Sequence, residues 1–87
     1  MQSNSKRMES LKELVARVLG VDKGIIKDDS SPEDIESWDS FNALMLVSEL
    51  EKKFNVNFSI DEVMSVKSFN DIKEALRKHG IKEGLDD

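Results

Sequence analysis

Few residues in this chain are equipped for chemistry. There is no cysteine, and the single histidine, His79, falls near the end of the sequence. Disulfides, thiolate metal sites and a thiol nucleophile are therefore excluded. His79 stands where a helix is expected to end, and the helix dipole favours an imidazole there without any catalytic duty. Asp28, Asp29 and Asp34 lack the Asp-x-Asp-x-Asp-Gly spacing of a calcium loop, and no glycine sits where that loop must turn. What remains is Ser40, in the tetrad Trp38-Asp39-Ser40-Phe41. With no base beside it the hydroxyl is a weak nucleophile, so neither a catalytic residue nor a metal site is expected. At the first position of a helix, however, unpaired N–H groups and the positive end of the dipole favour a phosphate. Ser40 reads as an attachment point for a phosphate-linked group.

The elements that must position Ser40 follow from hydrophobic spacing. Leu11, Leu14, Val15, Val18 and Leu19 form one helical stripe, and Gly20 is placed to end it. A long connection from Val21 to Trp38 follows, with Ile25 and Ile26 expected to pin it to the core. Ser31-Pro32-Glu33-Asp34 predicts a short helical turn within it. Connections of this length in small domains are often functional. A second helix is predicted from Ser40 to Phe54, capped by Asp39, with Phe41, Leu44, Val47, Leu50 and Phe54 as its stripe and Leu46 beside it. Ser59-Ile60-Asp61-Glu62 fits a capping box that opens a short helix carrying Ile60, Val63 and Met64. Ser68 starts the last helix, which should bury Phe69, Ile72, Ala75 and Leu76 and end near His79-Gly80. Period-2 alternation is missing, so no sheet is expected. The fold class is all-α: a four-helix bundle of three longer helices and one short one, with the long loop after the first.

Size and charge bound the function. A domain of 87 residues buries roughly 60% of its unfolded surface, which leaves little room for an enclosed enzyme pocket. Residues 1–7 are polar and expected to be disordered, residues 8–80 to form the domain, and residues 81–87 to be an acidic tail. No apolar run approaches the ~20 residues of a membrane span, and the N-terminus has no signal-peptide character, so a cytoplasmic protein without membrane insertion is expected. Net charge is −5, but its distribution matters more. Between residues 28 and 51 there are eight acids and no lysine or arginine. Such a field repels nucleic acid and steers partners that carry basic docking patches.

From about Leu11 to His79 the chain resembles the acyl carrier proteins of the phosphopantetheine-binding family. The resemblance rests on Asp39-Ser40-Phe41 against the family's Asp-Ser-Leu and on the apolar spacing through Leu44, Leu46, Val47, Leu50 and Phe54. It continues through the helix end Glu51-Lys52-Lys53-Phe54-Asn55-Val56 and the stretches 60–66 and 68–72. It implies that Ser40 receives 4′-phosphopantetheine from coenzyme A through a phosphopantetheinyl transferase, with Asp39 in the transferase site. The arm's thiol would then carry acyl groups as thioesters to acyl-loading and acyl-transfer enzymes, so a cysteine-free monomer performs thiol chemistry through its cofactor. Phe41, Met45, Glu49 and Glu51 are the expected partner contacts.

The chain also departs from that pattern. Phe41 replaces a leucine, and Asn42, Met45 and Lys52 stand where carriers of bulk fatty acid synthesis have acids. Met45 lies outside the tight core stripe, free for contact or for the core edge. Trp38 is read as a loop anchor or as a wall beside the arm. These departures favour a specialised pathway. Two other readings fit the residues: an aminoacyl or peptidyl carrier, which shares the chemistry, and a cofactor-free helical adaptor that leaves Ser40 bare.

Overall fold

Four helices form where the cap residues and apolar spacing place them: α1 Leu11–Leu19, α2 Ser40–Phe54, α3 Ile60–Ser65 and α4 Phe69–Lys78. The computed structural model describes residues 9–82 and residue 85, and no strand occurs among them. The expectations for residues 1–7 and for residues 83, 84, 86 and 87 lie outside that range. All four helices start with a side-chain cap. Ser10 and Glu13 form a capping box at α1, Ser59 and Glu62 form another at α3, and Ser68 accepts from the Asp71 N–H at α4. Asp39 caps α2, accepting from the Asn42 N–H at 2.9 Å. Gly20 ends α1 at φ 70°, and Asn55 ends α2 at φ 56°, the left-handed conformation that Gly and Asn tolerate best. The Ser10 box was not read from the sequence.

The core is built from Leu11, Leu14, Val15 and Leu19 of α1, Leu46 and Leu50 of α2, and Phe69, Ile72 and Leu76 of α4. Ala75 is only partly buried. The stripe expected on α2 is corrected. Ala43, Leu46, Leu50 and Phe54 face the core and Val47 lines a cavity beside it, whereas Phe41 and Leu44 point outward. The first half of α2 is apolar on both sides, so spacing alone cannot say which side is buried. On α3 only Val63 turns inward, and Ile60 and Met64 are exposed.

The long connection is held closely. Ile26 is buried but Ile25 is half-exposed, so one isoleucine of the pair anchors the segment. Ile25 closes a 3-10 turn at Lys23–Ile25 that sequence spacing did not indicate. The turn expected at Ser31 is present as a single turn, with the Asp34 and Ile35 N–H groups donating to the Ser31 carbonyl. Beyond it Ile35 and Trp38 enter the core. The connection also completes α4. Its first two N–H groups, of Phe69 and Asn70, donate to the carbonyls of Ser30 and Asp28 at 2.8 and 2.9 Å. Ser30 is buried, its hydroxyl accepting from the Lys27 N–H. At the other end of the chain Leu85 is buried, so the core extends into the span read as a tail.

Lys73 of α4 is buried and pairs with Asp28 at 2.7 Å, which holds the Asp28 carboxyl below the usual carboxylate range. Glu49 and Glu62 are lowered too, Glu49 chiefly by its bond to Arg17 and Glu62 chiefly by the Ser59 N–H. Carboxyls depressed in the folded state stabilise it above their unfolded pKa, near pH 4, and lose that contribution as pH falls through the folded value. Asp28→Asn should therefore lower the urea midpoint clearly at pH 7, and the gap to the parent should close below about pH 4. Equal midpoints at pH 7 would show that the Asp28–Lys73 pair contributes nothing.

Candidate functional site

Ser40 is the first residue of α2 and is exposed. Its hydroxyl makes no hydrogen bond with the described residues. The residues around it are fixed. Trp38, two positions earlier, is buried, and its N–H donates to the Ile35 carbonyl at 2.9 Å. Asp39 then turns outward and closes the helix start, with its carbonyl accepting from the Ala43 N–H at 2.8 Å. Asn42 locks the junction from the other side. Its side-chain amide donates to the Ser37 carbonyl at 2.8 Å, and the Ser37 hydroxyl donates to the Leu19 carbonyl at the end of α1 at 2.6 Å. A continuous set of bonds thus ties the head of α2 to the end of α1. With Asn42 and Ala43 satisfied by Asp39, the N–H groups of Ser40 and Phe41 lie at the positive end of the α2 dipole. An anion esterified to Ser40 fits there.

Trp38 is a loop anchor, buried in the core. It lines a cavity of about 60 Å³ with Ala43, Leu46, Val47 and Leu50 of α2, Val63 of α3, and Ile72 and Ala75 of α4. Phe58, Val66 and Glu62 complete the lining. Glu62 is the one charged side chain in that wall, and its second oxygen meets His79 Nε2 at 2.9 Å. His79, the C-cap of α4, also packs edge-on against Phe58 with ring centroids 5.2 Å apart. The histidine is a structural link between α3 and α4 and does not line that cavity.

The expected partner contacts divide into two groups. Phe41 and Met45 are exposed on the outer face of α2, with Leu44 beside them. Glu49 and Glu51 are half-buried and engaged within the chain. Glu49 pairs with Arg17 at 3.1 Å and with Lys52 at 3.6 Å. Glu51 accepts from the Phe58 N–H at 2.9 Å and so fixes the approach to α3. Exposed carboxylates lie instead on the connection, at Asp29, Glu33, Asp34 and Glu36, of which Asp34 accepts from the Ser31 hydroxyl at 3.4 Å. Leu44, Asn42 and Ser37 were not singled out as site residues by sequence reasoning. Leu44 falls on the predicted core stripe, Asn42 stands out only as a departure from an acid, and Ser37 carries no signal in its spacing.

At the head of a capped helix, the exposed Ser40 is open to attachment of a group that would supply chemistry the chain lacks. Comparison with known proteins agrees. The family described as "Phosphopantetheine attachment site" matches residues 9–76. An acyl carrier protein of Clostridium acetobutylicum is 31% identical over 71 residues, covering 82% of this chain and 92% of the relative. A solved Mycobacterium tuberculosis structure, assigned as an acyl carrier protein, superposes with a TM-score of 0.72 at 23% identity, covering 79% of this chain and 92% of that one. The chain belongs to the phosphopantetheine-binding acyl carrier family, whose cofactor is 4′-phosphopantetheine. Members of that family carry their cargo and do not themselves catalyse its conversion.

The Asn42 bond has a direct consequence. Asn42→Asp replaces a donor with a charged acceptor facing the Ser37 carbonyl, which should cost about 1–3 kcal/mol in denaturant unfolding. Asn42→Ala should cost less, because it leaves the Ser37 carbonyl unpaired without adding a charge. If Asn42→Asp is as stable as the parent, the link between α1 and α2 does not depend on this amide.

Proposed function

We propose that this chain is an acyl carrier protein in which Ser40 bears the 4′-phosphopantetheine and delivers acyl thioesters to the enzymes of a fatty acid, polyketide or specialised acyl-transfer pathway. The observation that carries the reading is the exposed, unbonded Ser40 hydroxyl at the head of a capped, anchored helix. Attachment forms a bond between the Ser40 oxygen and the phosphorus nearest the pantetheine in coenzyme A. The phosphoanhydride bond to adenosine 3′,5′-bisphosphate breaks, and the serine proton passes to a base of the transferase. The bound arm supplies the thiol that holds the acyl group.

The protein's own residues orient and recognise. Asp39 uses one carboxylate oxygen in the cap and leaves the other for the transferase. The cap and the Trp38 anchor fix the root of the arm, while the arm itself moves. Tethering gives the thioester an effective concentration at a docked enzyme in the millimolar range. The exposed acids of the connection attract partners with basic patches and speed encounter without tight binding.

Co-expression with a broad-specificity phosphopantetheinyl transferase should add one phosphopantetheinyl mass, and Ser40→Ala should abolish it. Unchanged modification of the alanine variant would refute attachment at Ser40. Asp39 separates recognition from folding. Losing the cap costs ~1 kcal/mol, which leaves the domain folded, so Asp39→Ala should keep its helical circular dichroism while modification slows at least about tenfold. Modification at the parent rate would reduce Asp39 to a cap.

A further inference from the structure

Trp38 is the only tryptophan of the chain and is 5% exposed. Its backbone N–H donates to the Ile35 carbonyl, but its indole N–H donates to none of the described residues. A buried donor without an acceptor is costly, and native proteins pair the large majority of such groups. The Trp38 side chain lines the cavity of about 60 Å³ between α2, α3 and α4, and every other lining side chain except Glu62 is apolar. Both Glu62 oxygens are engaged, one by the Ser59 N–H and the other by His79. The wall thus holds apolar groups, a carboxylate committed to the fold, and one donor with no partner.

A partner for that donor must be an acceptor, small and uncharged. Water takes about 30 Å³ in the liquid, so the cavity admits on the order of two small groups. An anionic acceptor would enter an apolar wall beside the Glu62 carboxylate, which is unfavourable. The site is also near the attachment point. Ala43 lines the cavity three residues after Ser40, and positions three apart are neighbours about 5–6 Å apart on a helix. We propose that Trp38 selects the cargo. Its indole N–H donates to a neutral hydroxyl or carbonyl oxygen near the end of a short acyl group, whose terminal carbon rests on the apolar wall. The unsubstituted acyl group of the same length leaves the donor unpaired and is held less well. The inference rests on attachment at Ser40 and adds a cargo class: short, oxygen-bearing and uncharged.

A single tryptophan gives a single indole N–H signal to follow by NMR. A broad-specificity transferase is supplied with coenzyme A, butyryl-coenzyme A or 3-hydroxybutyryl-coenzyme A, giving the holo, butyryl and 3-hydroxybutyryl proteins. The indole proton should move downfield, as a hydrogen-bonded proton does, in the 3-hydroxybutyryl form alone. In urea unfolding, that form should show a folding equilibrium constant about two- to tenfold above that of the butyryl form, the scale of one hydrogen bond. Trp38→Phe removes the donor and should erase the difference between the two acyl forms. An indole proton unmoved by 3-hydroxybutyryl overturns the proposal. So does equal movement in the holo or butyryl form, because the arm or the thioester carbonyl would then be the acceptor. A stability difference that survives in Trp38→Phe also overturns it, and if that variant does not fold, the parent's indole signal decides alone. Intact mass separates this from the underlying reading. No added mass removes attachment and the proposal with it, whereas added mass with an unmoved indole proton removes only the selection by Trp38.

Discussion

Everything at the site depends on where α2 begins. Trp38 is buried and Asp39 is exposed, so the chain passes from core to solvent within one residue. Asp39 then satisfies the Asn42 and Ala43 N–H groups, one with its carboxylate and the other with its carbonyl. Asn42 returns a bond to Ser37, and Ser37 closes on the last carbonyl of α1. No single bond in this chain of contacts is strong, since a net hydrogen bond contributes about 0.5–1.5 kcal/mol. Their joint effect is geometric. With Trp38 held in the core and Asp39 in solvent as the cap, the helix starts at Ser40.

A start fixed in this way divides α2 into two faces with different duties. Ala43, Leu46, Val47 and Leu50 point toward the cavity and the core. Phe41, Leu44 and Met45 point away. A register shift of one residue would turn the helix about 100° and exchange buried for exposed apolar groups. The charges follow the same division. Acids along α2 hold the fold together through Arg17 and the Phe58 N–H, while on the connection Asp28 pairs with Lys73 and Asp29, Glu33 and Glu36 are exposed. A charge count over residues 28–51 combines both kinds. It overstates the electrostatic content of the helix and correctly locates that of the loop.

Much of the architecture was legible because helix ends are written in local chemistry. Asp39, Ser59 with Glu62, Ser68 and Gly20 each solve a backbone problem within four residues, so α2, α3 and α4 begin where those residues said. The inner and outer faces of α2 were not legible, because both are apolar. The pinning of the connection was hidden for another reason. Ser30 is buried through bonds to backbone atoms, and Lys73 is buried beside an acid 45 residues away, so neither has a local sequence signature. The start of α2 at Ser40 was legible through its neighbours, and the roles of Glu49 and Glu51 were not, since their partners come from α1 and the α2–α3 connection.

The central claim is that the bundle is a preformed platform and that its prosthetic group is rooted outside the core, at the head of α2. Two-dimensional amide NMR spectra of the apo and holo forms test this most directly. The account predicts shift changes confined to about residues 37–45, with the core amides of α1 and α4 unmoved and the α2 boundaries unchanged. Changes spread through the core, or an undisturbed Ser40 with perturbation centred elsewhere, would contradict it.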